Sequence, residues 1–208
     1  MSMGRCDTDV TKDKDRPRKV YVLESDLVYD GFFKIERAVV RYERFDGRMS
    51  DPITRYCFER GDSVGVLLYN PKSDSVVLVE QFRYPAYVRG GPGWILEIVA
   101  GIRDKGDSIR VAKSEALEEA GYEMERLEKL SSFYLSPGGS SERMDLYLGY
   151  VSKPSQEGGG VREEGEEIRI VELPLEEALR MIERGEICDA KTILALLWLY
   201  RRKVEEGR

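Results

Sequence analysis

From Lys19 to Arg60 apolar and polar side chains are interleaved in short runs, KVYVLE, FFKIERAVVRYERF and, after the turn-forming DGRMSDP, ITRYCFE. This pattern predicts strands. A unit of about 40 residues is marginal as an independent core, so the sheet is expected to pack on another domain or a second subunit. The character of the chain then changes. SVGVLLY (63–69) and SVVLVEQ (75–81) are nearly continuous apolar runs joined by the turn NPKSD, as buried strands are, and WILEIV (94–99) leads as one strand straight towards Gly101. From Ser108 to Ala120 the period becomes helical, with Ile109, Ala112, Ala116, Leu117 and Ala120 forming an apolar stripe. Asp107 or Ser108 suits the cap of the first turn, and Gly121 the left-handed position after the last. KLSSFYL, RMDLYLGYV and EIRIVELP are further strand candidates, and helices from about 174 to 184 and 190 to 203 close the chain. Strands interleaved with helices make the class α/β or α+β.

The polar side of the 108–120 helix carries the first candidate chemistry. Glu115 and Glu119 are four apart and Glu115 and Glu118 three apart, so their carboxylates leave one face. Stacked like charges cost a few tenths of a kcal/mol per pair in an isolated helix, and a hard cation with oxygen ligands relieves them. A solvated acidic face is the competing reading, and for an isolated Glu-x-x-Glu-Glu it is the stronger one.

Composition narrows the field. The chain has 208 residues, 41% hydrophobic and 35% charged, enough for one full core and a smaller appendage. Residues 1 to about 18 read as a polar tail. The longest apolar run, Ile193 to Tyr200, falls short of the roughly 20 residues of a membrane helix, and the start MSMGRCDTDV has no apolar signal core. A cytoplasmic protein with no membrane partner is expected. Cys6, Cys57 and Cys188 are too few and scattered for a zinc site or disulfide framework. With no histidine, Ser-His and Cys-His mechanisms are excluded, leaving carboxylates as the natural acid-base groups. A net charge of -6 argues against nucleic acid as the main partner.

A second acidic cluster, Glu163, Glu164, Glu166 and Glu167, follows Gly158, Gly159 and Gly160, a glycine run with the composition of a mobile loop. A solvated linker and a functional loop are equally good readings of it.

The stretch GIRDKGDSIRVAKSEALEEAGY resembles a Nudix box, whose core reads Arg-Glu-apolar-x-Glu-Glu-x-Gly-apolar after an upstream glycine and glutamate. Gly101, Glu115, Ala116, Glu118, Glu119, Gly121 and Tyr122 match. Asp107 stands where glutamate is usual, Ser114 replaces the arginine that braces the helix in the family, and the spacing from Gly101 to Glu115 is one residue short, as in the GDP-mannose branch. The resemblance runs from about Tyr42 to Arg202 and implies an α/β/α sandwich around a mixed sheet, spanning 61–208. It also implies a homodimer exchanging the N-terminal sheet of residues 19–60.

The same resemblance implies roles. Glu115 and Glu119, with the backbone carbonyl of Ala100, would hold two or three Mg2+ ions, Mn2+ being an alternative, and Glu118 would be a further ligand or a structural partner. In ADP-ribose pyrophosphatases a loop glutamate is the base; Glu164 matches it first and Glu166 second. Pro137, fifteen residues after Tyr122 in the turn-forming SPGGSSER, resembles the marker of that subgroup, with Glu142 matching a residue that faces the terminal ribose. Arg83 and Glu97 match substrate-side positions, and Arg55 a base contact supplied by the partner subunit, although Tyr56 departs from the glutamate usual beside it. The implied activity is hydrolysis of a nucleoside diphosphate sugar, with ADP-ribose ahead of GDP-mannose and a UDP-sugar. A sensor that binds nucleotide sugars without cleaving them is the alternative from another class.

Overall fold

The computed structural model describes residues 17–103, 107–160 and 167–207. The chain divides into two compact units, Met1–Glu59 and Arg60–Arg208. The first holds an antiparallel sheet of β1 (Val20–Asp30), β2 (Lys34–Tyr42) and β3 (Ile53–Glu59), in that order. Every residue of β1 is exposed.

The second unit is built on a seven-stranded sheet. Its strands are β4 (Asp62–Asn70), β5 (Ser75–Phe82), β6 (Trp94–Glu97), β7 (Val99–Arg103), β8 (Arg126–Tyr134), β9 (Arg143–Tyr150) and β10 (Ile168–Pro174). The main path is β10-β5-β4-β9-β8; β6 pairs with β5 and β7 with β4. The β4–β9 pairing is parallel and the others are antiparallel, so the sheet is mixed. A four-residue helix, α1 (Tyr84–Tyr87), precedes β6, and α2 (Ser108–Ala120), α3 (Leu175–Glu183) and α4 (Ala190–Glu206) complete the unit.

Because strand side chains alternate, one strand feeds two cores. Val64, Val66 and Leu68 of β4 pack with Val77, Val79 and Val99 against Ala112, Ala116 and Ala120 of α2. Leu67 and Tyr69 pack with Leu78, Leu146 and Leu148 against Leu175, Ala178, Ala195, Leu196 and Leu199 of α3 and α4. Helices on both faces of a mixed sheet are the α/β/α sandwich that the resemblance implies.

Two details differ from the sequence reading. WILEIV is not one strand: it breaks at Ile98 into β6 on β5 and β7 on β4. Ile98 spends its N–H on Thr192 Oγ1, 2.8 Å away, instead of on a ladder. Ile109 and Leu117 do not join the buried stripe of α2: Ile109 is 46% exposed and Leu117 is half-buried, outside that core. The stripe on the sheet is alanine, small enough for helix and strand to lie close. Among the described residues no helix is long and apolar enough to cross a membrane.

Candidate active site

Helix α2 starts and stops where its local chemistry directs. Asp107 accepts the N–H of Ile109 at 3.0 Å, and Gly121 closes the helix at φ 75°, its N–H donating to Leu117 while that of Tyr122 reaches Ala116. These ends fix which residues face β7. Glu119 is buried at 5% exposure, and its Oε2 accepts the N–H of Ala100 at 3.3 Å. Glu115 lies over Gly101 so closely that a Cβ there would stand 2.0 Å from Glu115 Oε1. Glycine at 101 is the space the carboxylate occupies. Glu118 is exposed and accepts the Ser114 hydroxyl at 2.6 Å, so the serine in place of the family's arginine braces the helix through a hydrogen bond within one turn.

The structure therefore brings Glu115, Glu119 and the Ala100–Gly101 backbone together. Among the described residues no three acidic or sulfur side chains form a ready-made cage. The donors that converge are all oxygens, two carboxylates beside a main-chain segment, and they fit a hard divalent cation that completes its shell with water and phosphate oxygens.

A second charged cluster surrounds Glu97, which is 5% exposed. Arg83 reaches its Oε2 through Nε at 2.7 Å and Nη2 at 2.6 Å, while Lys191 Nζ donates to Oε1 at 2.7 Å. Lys191 also pairs with Asp189 at 3.0 Å, and Asp189 caps α4 by accepting the N–H and hydroxyl of Thr192. The start of α4 thus pins the β6–β7 break from two sides. Buried Glu97 is compensated by two cations, the condition on which a buried charge is tolerated. Sequence reasoning missed Lys191. Its signal was a lysine in the first turn of a helix, where the dipole disfavours a cation unless something pairs it.

Glu142 is buried ahead of β9, accepting the Ser63 hydroxyl at 2.8 Å with Arg60 at 3.7 Å. Beside it Arg103 bridges Asp62 and Asp145, and Lys129 and Ser132 also bind Asp145. Burial raises the Asp145 pKa, but hydrogen bonds from Lys129 and Ser132 and the charges of Lys129 and Arg103 outweigh it and hold the carboxyl below its ordinary value. This cluster too was missed; it joins β4, β7, β8 and β9, and nothing local marks it. Arg55 lies in the other unit, on β3, with its guanidinium on the Thr54 carbonyl at 3.0 Å. Glu164 and Glu166 lie outside the described residues. The three glycines before them are not a free loop: Gly158, Gly159 and Gly160 pack on the end of α2.

A profile of the NUDIX domain matches residues 59–196. The chain is 38% identical over 182 residues to an ADP-ribose pyrophosphatase of Escherichia coli (strain K12), covering 86% of this chain and 87% of that one. It is 36% identical over 185 residues to a GDP-mannose pyrophosphatase of Shigella flexneri, covering 88% and 95%. A crystal structure of an ADP compounds hydrolase shares the fold at a TM-score of 0.70 and 20% identity, over 91% of this chain and 97% of its own. With the matching box seated on β7 as described, this chain belongs to the Nudix hydrolase family.

Proposed function

We propose that this protein hydrolyses the diphosphate linkage of a nucleoside diphosphate sugar, with ADP-ribose, giving AMP and ribose 5-phosphate, as the first choice. The observation that carries the proposal is the seating of Glu115 and Glu119 on the Ala100–Gly101 backbone, Glu119 on the Ala100 N–H and Glu115 in space that a side chain at 101 would fill. The names of the ADP-ribose and GDP-mannose pyrophosphatases similar to the chain point to the same substrate class. Family members are metal-dependent, and the set of Glu115, Glu119 and the Ala100 carbonyl suits two or three Mg2+ ions, or Mn2+, with Glu118 at its edge. Bound ions would offset charge on the phosphoryl oxygens and lower the pKa of an attacking water.

The chain's own part is positioning and proton transfer. Glu119 is desolvated and tied to Ala100 N–H, which fixes its carboxylate before substrate arrives. Arg83 has Nε and Nη2 on Glu97, so Nη1 is the nitrogen proposed for a phosphate oxygen, in the planar geometry lysine lacks. Glu164 accepts the proton of the attacking water, with Glu166 as the second choice. Glu142 faces the sugar. In a homodimer the N-terminal sheet is the surface exchanged, since Val20, Val22, Leu23, Leu27 and Phe32 are exposed in the single chain, and Arg55 contacts the base held by the partner.

Comparative kcat/KM on ADP-ribose, GDP-mannose and UDP-glucose with Mg2+, read by release of nucleoside monophosphate, tests the proposal. The highest value is expected for ADP-ribose; a higher one for GDP-mannose moves the substrate to that branch. Tight, metal-dependent binding without turnover would make the protein a sensor. Glu164→Gln is expected to lower turnover with Mg2+ affinity kept, and a variant whose only defect is weak Mg2+ binding makes Glu164 a ligand instead.

A further inference from the structure

The turn that carries Glu118 and Glu119 is the last of α2, where a helix has carbonyls without intrahelical donors. Terminal turns open at little cost, which is a poor place for a ligand whose position matters. Here the missing donors arrive from the segment after β9. Gly160 N–H donates to the Glu118 carbonyl at 3.3 Å and Gly159 N–H to that of Glu119 at 2.9 Å, while Gln156 Nε2, at 3.2 Å, adds a second donor to the Leu117 carbonyl that Gly121 N–H already fills. The Gly121 carbonyl takes the N–H of Ser155 at 2.8 Å and its hydroxyl at 3.2 Å.

The contact is backbone on backbone. A Cβ at Gly158 would stand 2.6 Å from the Glu119 oxygen, 2.6 Å from the Ala120 carbonyl carbon and 2.7 Å from the Gly121 nitrogen, so no side chain fits without moving one of the two segments. Gly159 and Gly160 adopt φ 134° and 75°, values that L side chains rarely take. The glycine run serves close approach.

We propose that Ser155–Gly160 is a positioning strap for the metal-ligand turn, and that Gly158 is the residue that admits it. The proposal rests on the reading of Glu119 as a metal ligand. With the strap in place, residue 119 is held twice, by its carbonyl on Gly159 and by its carboxylate on Ala100. Without it, the last turn frays and the spacing of Glu119 from Glu115, one turn earlier, is no longer set. Mg2+ demands near-ideal octahedral geometry, so a loosened ligand pair binds it less well.

The test is Mn2+ binding without substrate, followed by the electron paramagnetic resonance of the free ion, on the full chain and on Gly158→Ala, Gln156→Ala and Glu119→Gln. Gly158→Ala is expected to bind about tenfold more weakly, as loss of an outer support does at metal sites. Gln156→Ala, which removes one exposed hydrogen bond and leaves the backbone alone, is expected to lose about threefold, and it carries the test if Gly158→Ala does not fold. Amide exchange at Gly159 and Gly160 should quicken in Gly158→Ala while its circular dichroism is unchanged. In the Glu119→Gln background Gly158→Ala should add nothing, because both act through one ligand. Wild-type affinity in Glu119→Gln would overturn the ligand reading and the strap with it. Weak binding in Glu119→Gln beside wild-type affinity in Gly158→Ala and Gln156→Ala, or a Gly158→Ala loss of equal size in both backgrounds, would overturn the strap alone.

Discussion

The two faces of the seven-stranded sheet are built from different residues for different ends. Towards α3 and α4 the contacts are made by Leu67, Leu78, Leu146, Leu148, Leu196 and Leu199, side chains that each contribute about 1.5 to 3 kcal/mol when fully buried. Towards α2 the helix offers Ala112, Ala116 and Ala120, whose single methyl groups bring far less. What the alanines give is proximity. Only with the helix close can Glu119 reach Ala100 N–H and Glu115 lie on Gly101. On the α3–α4 side both layers bring leucine; on the α2 side the sheet still brings valine and leucine, and it is the helix that is thinned to alanine so that carboxylates and backbone meet.

Substitutions on the two faces should therefore fail in different ways. The largest effect is expected from Glu119→Gln, which keeps the shape and removes the charge: turnover should fall by about a thousandfold, the several kcal/mol a metal contact supplies, with the melting temperature nearly unchanged. Steady-state kinetics beside calorimetry reads both, and unchanged hydrolysis would refute the site. Leu196→Ala on the opposite face should do the reverse, costing about 2 to 5 kcal/mol in urea unfolding while kcat of the folded protein stays at the wild-type value. If it cuts kcat as strongly as Glu119→Gln does, the division between faces is wrong.

Gly101→Ala comes next. The added Cβ must displace Glu115, so about a tenfold loss of kcat is expected beside a small stability change. The smallest effect is a pH dependence. Burial, the nearby charge of Glu172 and the hydrogen bond to it push the Tyr122 phenol up to about 12 from its ordinary 10.0. A pKa raised in the folded state gives stability that is complete below 10.0 and lost as pH rises towards about 12. Melting temperature followed across that window should fall, and Tyr122→Phe should flatten the part of the fall that belongs to this residue.

Much of this was legible in the sequence where the information is local. The stop at Gly121 and the strands from Ser63 to Gln81 are written in neighbouring residues, and the structure agrees with each; of the two residues that suit the cap, Asp107 and Ser108, the structure uses Asp107. Ile109 misled because its position fits the helical period, whereas only a neighbouring element decides whether a stripe residue is covered. The glycine run at 158–160 misled because a loose linker and a tight backbone contact need the same residue, and the partner of the contact, α2, lies some forty positions earlier.

Sequence alone determined the succession of the main strands and helices, α1 and the β6–β7 break apart, the ends of the glutamate helix and the spacing that puts Glu115 and Glu119 on one side of it. Tertiary structure decided which of these glutamates is buried, where WILEIV breaks, and that Lys191 neutralises Glu97 from 94 residues away. The reason is range: periodicity and caps act within a turn or two, while a buried charge finds its partner only when the sheet has brought distant segments together.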